Sequence, residues 1–84
     1  MDNNTQADTT LEQRIIQLAA EQASIDISEV TPASLFKEDL GYDSLDVAEF
    51  IMELEDEFEL SVPDQAAEEL KTVQKVVDWV RENT

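Results

Sequence analysis

Ser44 is the side chain in this sequence best placed to do chemistry. It lies in Asp39-Leu-Gly-Tyr-Asp-Ser44-Leu-Asp46, with the chain's one glycine, Gly41, just ahead of it and acids at Asp43 and Asp46. A serine beside a glycine turn is the setting of a hydrolase nucleophile. Hydrolysis needs a base, however, and the chain has no histidine and no cysteine. Gly-Tyr-Asp-Ser-Leu also lacks the spacing of the G-x-S-x-G elbow. No catalytic residue is therefore assigned. Ser44 opens a strong helical pattern, so it is expected to be the N-cap of that helix. A helix start also carries partial positive charge and free N–H groups, which can hold a phosphate. An exposed hydroxyl there is well placed to carry a phosphoryl-linked group.

The elements that position this serine follow from periodicity. Thr10-Leu-Glu-Gln13 has the Thr-x-x-Gln spacing of a capping box, and Leu11, Ile15, Leu18 and Ala19 continue as a stripe, which predicts a first helix from Thr10 to about Ser24. Residues 1–9 are expected to be a loose segment and 10–84 a single domain. Residues 25–43 read as a long connection. Its Leu35, Phe36 and Leu40 are too apolar for a purely solvated loop, so it should pack across the helices. Ser44 to Leu60 is the second helix, ended by Pro63. Asp64 to Leu70 is at most a short helix, and Thr72 caps a last one running to about Glu82. The fold class is thus all-α: a four-helix bundle with a long loop after helix 1 and a short third helix.

Charge narrows the function. The 84 residues hold 21 acids and five bases, a net of −16. Such a chain should repel nucleic acid and anionic membranes and attract basic protein surfaces. The absence of cysteine rules out disulfides and thiolate metal sites. No apolar run approaches membrane-spanning length. The polar start has no signal-peptide character. A cytoplasmic monomer with no membrane insertion is expected. The EF-hand pattern is missing, so no metal site is assigned, although loose divalent binding on the acidic surface is compatible with the charge.

The helix beginning at Ser44 has three faces when successive residues are set about 100° apart. Val47, Phe50, Ile51, Leu54 and Phe58 form the core stripe. Asp46, Glu49, Glu53, Asp56 and Glu57 form an acidic face. From Glu38 to Glu69 the chain has thirteen acids and no base, whereas an ordinary solvated helix mixes signs. Leu45, Ala48 and Met52 form a small apolar strip between acids, away from the centre of the core stripe. That combination suits a protein-docking surface, although Leu45 or Met52 alone could equally widen the core.

Gly41-Tyr42-Asp43-Ser44-Leu45 resembles the G-x-D-S-L motif of acyl carrier proteins. Leu35-Phe36-Lys37-Glu38-Asp39-Leu40, the acidic helix through Phe58, Val62-Pro63-Asp64 and the start of the last helix at Thr72 are similar to the same family. The resemblance covers about residues 10–82. It implies a freestanding carrier of the type II fatty-acid or polyketide kind, not itself an enzyme. It implies that Ser44 is esterified by 4′-phosphopantetheine, taken from coenzyme A by a phosphopantetheinyl transferase, beside Asp43 and Leu45. The arm's thiol would carry acyl groups as thioesters between enzymes. The resemblance also implies partner recognition at Asp46, Ala48, Glu49, Met52, Glu53, Glu55 and Asp56 by basic patches on acyl-processing enzymes. Phe36, Ile51, Leu54 and Phe58 are candidates for lining an acyl cavity. Tyr42 stands at a variable position that is often small, where its ring is expected to pack along the arm or to sit on the surface; Ala23-Ser24 stands where Leu-Gly is frequent, and Phe50 replaces a common aliphatic. These departures leave the carrier reading intact and leave open whether it is the housekeeping fatty-acid carrier or a specialised one. A carrier of polyketide or aminoacyl cargo, or an acidic docking module without cofactor, are the alternatives.

Overall fold

The structure is a computed structural model that describes residues 3–84, with side chains described from Leu11 onward. Its helices follow in the order α1 (Asn3–Ala23), a 3-10 turn (Ile27–Glu29), α2 (Ser44–Phe58), α3 (Asp64–Glu69) and α4 (Val73–Asn83). No strand occurs among the described residues. The predicted all-α bundle, with its long first loop and short third helix, is the observed fold.

α1 starts at Asn3, upstream of the Thr10 start read from the capping-box spacing. Met1 and Asp2 lie outside the described residues, and the Thr10 side chain lies outside the described side chains. No Gly or Pro interrupts this stretch, and once a helix is nucleated each further residue is added at low cost. A box-like spacing inside such a run therefore does not mark its beginning. α1 ends at Ser24, whose φ is +60°. The Ser24 amide donates to Glu21 O (3.2 Å) and the Ile25 amide to Ala20 O (3.1 Å), the paired bonds of a left-handed helix terminus.

The core forms where α1 meets α2 and α4. Ile15, Ala19, Leu54, Val73, Val76 and Val80 are fully buried. α4 places Val73, Val76, Val77 and Val80 on its inner face, and Trp79 is half-buried at the edge. The long loop supplies Val30, Phe36, Leu40 and Tyr42 to the same core, which is why its sequence is so apolar.

The loop is also tied to the start of α4. Leu35 and Thr72 form an antiparallel bridge, and the Phe36 amide donates to Lys71 O at 3.1 Å. Each amide of the first turn of α4 has a protein acceptor. Val73 N donates to Ser34 O, Gln74 N to Pro32 O and Val76 N to Thr72 O. Lys75 N donates to Thr72 Oγ1. This accounts for the four donors a helix start leaves open.

Candidate functional site

The start of α2 is built differently. Asp43 is its N-cap, with extended φ and ψ, and it forms a capping box with Asp46. The Asp46 amide donates to Asp43 Oδ1 (2.8 Å), and the Asp43 amide donates to Asp46 Oδ2 (3.1 Å). Val47 N donates to Asp43 O. Ser44 is therefore the first residue inside the helix and not its cap, contrary to the sequence reading. A box of two aspartates does the capping, a pairing that a search for Ser-x-x-Glu does not detect.

This shift has a chemical consequence. Among the described residues, the Ser44 hydroxyl makes no hydrogen bond, and the amides of Ser44 and Leu45 donate to no protein acceptor. Ser44 is exposed. The start of α2 thus presents one free hydroxyl and two open donors at the positive end of the helix, whereas the start of α4 is sealed.

The turn that delivers Ser44 is anchored from behind. Gly41 has φ +74°, in the region that an L side chain enters only with strain. Tyr42, expected to sit on the surface or along the arm, is in the core at 4% exposure. Its hydroxyl donates to Ala19 O at 2.7 Å. Its ring meets Phe36 and Phe50 edge-on, at centroid distances of 5.1 and 6.1 Å. Burial, with smaller contributions from the charges of Asp46 and Glu53, pushes the Tyr42 phenol well above its ordinary range. The two departures at Tyr42 and Phe50 are thus in contact with each other.

The candidate docking residues share the outer face of α2. Leu45 and Met52 are each 65% exposed, so neither widens the core stripe. Ala48, Glu49, Glu53 and Asp56 are exposed as well. Glu49, Met52, Glu53 and Asp56, together with Gln22 of α1, line a shallow hollow, and the Gln22 amide group donates to Glu49 Oε1 (2.8 Å). Three further acids of α2 have internal partners. Asp46 is held in the capping box. Glu55 is half-buried and its Oε2 accepts from the Val62 amide (2.8 Å). Glu57 receives two bonds from Arg14, at 2.7 and 2.9 Å, and that guanidinium holds the Glu57 carboxyl below its usual range. The sequence pattern grouped Glu57 with the free acidic face because it contained no sign of a cation arriving from α1.

Ser44 also borders an open cleft of about 1190 Å³ that continues along Val47, Ala48, Ile51 and Met52 to Val62, Ala67 and Leu70. Phe36 and Ile51, two of the acyl-cavity candidates, line it. Leu54 and Phe58 do not: Leu54 is fully buried, and Phe58 packs half-buried against the core. The cleft also takes in Lys37, Lys71 and Lys75, three of the five bases in the chain; Lys37 comes from the long loop, so the sequence pattern does not group it with the other two. Among the described residues no three Asp or Glu carboxylates are arranged to hold a metal ion, and no helix is long and apolar enough to cross a membrane.

The site can therefore act as an attachment point. It has a free hydroxyl oxygen, donors suited to a phosphate beside it, and no histidine to serve as a base. A family model described as the phosphopantetheine attachment site matches residues 13–80 of the chain.

Proposed function

The chain belongs to the phosphopantetheine-attachment family, a group of non-catalytic carriers with covalent 4′-phosphopantetheine, and from that premise we propose that Ser44 is the attachment residue and that the cargo is acyl. The observation that carries this reading is the difference between the two helix starts. α4 satisfies its first-turn amides internally, while α2 leaves the Ser44 hydroxyl and the Ser44 and Leu45 amides open.

The residues present fit the group. A phosphodiester on Ser44 Oγ would sit against the two open amides, which compensate its charge without bringing a base into an acidic protein. When bound, the group supplies a terminal thiol that holds an acyl chain as a thioester. Attachment from coenzyme A would form a bond from Ser44 Oγ to the phosphorus that carries the pantetheine, break the diphosphate P–O bond of coenzyme A so that its adenosine bisphosphate portion leaves, and release the hydroxyl proton. The chain has no histidine, and the Asp43 and Asp46 carboxylates are each turned to the other's amide, so the base is assigned to the transferase. Asp43 and Leu45 shape the approach: Asp43 by capping the turn, Leu45 by offering exposed apolar surface next to the hydroxyl.

Asp46, Ala48, Glu49, Met52, Glu53, Glu55 and Asp56 form the proposed recognition face for the transferase and for acyl-processing enzymes that present Lys and Arg. The acids attract such patches at long range, and Leu45, Ala48 and Met52 give the contact an apolar centre. The long acidic run favours acyl cargo of fatty-acid, lipid or polyketide type over aminoacyl cargo. The apolar floor of the cleft beside Ser44, formed by Phe36 and Ile51, is the proposed resting place of the acyl chain.

The test is intact mass after incubation with coenzyme A and a broad-specificity phosphopantetheinyl transferase, followed by peptide mapping. One phosphopantetheine on the peptide containing Ser44, and none on Ser44→Ala, is the expected result. A label that persists on Ser44→Ala would move the attachment site elsewhere. No label on folded wild-type protein would leave an acidic docking module.

A further inference from the structure

The Ser44 hydroxyl has no internal partner, so its place is set by whatever holds the turn in front of it. Asp43 and Asp46 tie that turn to α2. Tyr42 ties it to everything else. The Tyr42 amide donates to Phe36 O at 2.9 Å, which fixes the turn to the long loop. Its ring lies against Phe36 and Phe50, which fixes it to the core face of α2. Its hydroxyl reaches Ala19 O at 2.7 Å, which fixes it to α1. A core residue needs burial alone. Tyr42 adds directional bonds at both its backbone and its ring end, two positions from the attachment point and between the left-handed Gly41 and the capping Asp43.

We propose that Tyr42 is a positioning residue for Ser44: by pinning residues 41–43 to α1 and to the Phe36–Phe50 pair, it holds the hydroxyl and the two open amides of α2 in one arrangement for phosphopantetheine transfer. This inference rests on the assignment of Ser44 as the attachment residue. Tyr42 is buried and does not belong to the exposed face offered to the transferase. Its loss should therefore leave the docking of the carrier intact and misplace the reacting oxygen within the complex. Misplacement of that kind appears in kcat and leaves KM almost untouched.

The experiment compares wild type, Tyr42→Leu, Tyr42→Phe and Val80→Ala as substrates of a broad-specificity transferase with coenzyme A, under conditions where circular dichroism shows each to be folded. Val80 is fully buried in α4, a different helix from the one that Ser44 opens, and reports the effect of lost core packing. Tyr42→Leu is expected to lower kcat on the order of tenfold, with KM for the carrier within about twofold of wild type. Tyr42→Phe should lie between the two, and Val80→Ala should match wild type in kcat. Hydrogen exchange provides a second readout independent of transfer: the Asp43 and Asp46 amides should exchange faster in both Tyr42 variants and not in Val80→Ala. If Tyr42→Leu does not fold, Tyr42→Phe carries both readouts through the single bond to Ala19. Equal kcat and unchanged exchange in the Tyr42 variants overturn the proposal, as does an equal fall in kcat for Val80→Ala. If wild type accepts no label at Ser44, the attachment assignment fails, and the exchange readout still decides whether Tyr42 holds the turn.

Discussion

Asp43 and Asp46 cap each other across the first turn of α2, through bonds of 2.8 and 3.1 Å. The capping duty that Ser44 would ordinarily perform is thereby removed from it. Stability and the proposed attachment fall to adjacent residues, and substitution separates them. Asp43→Ala loses a helix cap and should cost about 1 kcal/mol, a fall in Tm of about 4–8 °C for a domain of this size. Ser44→Ala removes an exposed hydroxyl without a partner and should stay within about 0.5 kcal/mol of wild type. Thermal melts of both variants check this. A Ser44→Ala loss as large as that of Asp43→Ala would mean that the hydroxyl has a structural role.

Much of this arrangement is legible in the sequence. The apolar spacing in Val47, Phe50, Ile51, Leu54 and Phe58 orients α2, and Pro63 and Thr72 bound the later helices. The apolar residues of the long loop announce that it is packed. Side-chain pairing is less legible, because the sequence does not say which long-range partner arrives. The Arg14–Glu57 pair, the Glu55 bond to Val62 and the Tyr42 bond to Ala19 all cross between elements. Tyr42 was open to several readings because a residue next to a glycine turn faces inward or outward according to the path of the turn. Leu54 and Phe58 share a stripe with Ile51, yet only Ile51 borders the cleft, since a stripe this wide faces both the core and the cleft.

The net charge of −16 should make stability depend on ionic strength. Among the described acids of α2, only Glu57 has a cation beside it, so most of the repulsion along this helix is uncompensated. Raising salt from about 10 to about 150 mM shortens the screening length from about 30 to about 8 Å and should raise Tm by at least about 4 °C, equivalent to about 1 kcal/mol. Magnesium should act at lower concentration. A flat Tm across both titrations would show that the repulsion persists equally in the unfolded chain.

Two helix ends carry side chains in the left-handed region: Ser24 at φ 60° and Glu59 at φ 54°. Glycine adopts that geometry without the Cβ penalty. Ser24→Gly and Glu59→Gly should each stabilise the protein by up to about 1 kcal/mol. Gly41→Ala should act in the opposite direction. Its Cβ would meet nothing within 4 Å, so the cost is backbone strain alone, about 1–2 kcal/mol. Denaturant midpoints of the three variants test the set, and a neutral Gly41→Ala would remove the case for strain at the turn.

Burial raises the Tyr42 phenol above its ordinary range. The stability it contributes is complete below the unfolded-state value of about 10 and is lost as pH rises towards the folded value, because the unfolded chain releases the proton first. Stability should therefore fall above about pH 10, more steeply in wild type than in Tyr42→Phe. Tyr42 is the only tyrosine, so the appearance of phenolate absorbance should coincide with unfolding. Phenolate formation while the helices remain intact would show that the ring is accessible.

The acids of α2 are chemically alike but are not equivalent in place, and charge substitution should sort them. Glu49, Glu53 and Asp56 are exposed around Met52. Reversing any of them to Lys adds an ammonium to an excess of carboxylates, so stability should be unchanged or slightly higher. Each reversal should nevertheless lower kcat/KM for the transferase, mainly through slower association with a steeper effect at low salt. Glu55→Ala should behave differently. It leaves the part-buried Val62 amide without its acceptor, at a cost of about 1–3 kcal/mol. Melts and transferase kinetics on the four variants test the division. If Glu55→Ala keeps the wild-type Tm while Glu49→Lys and Asp56→Lys lose theirs, the surface roles assigned along α2 are reversed.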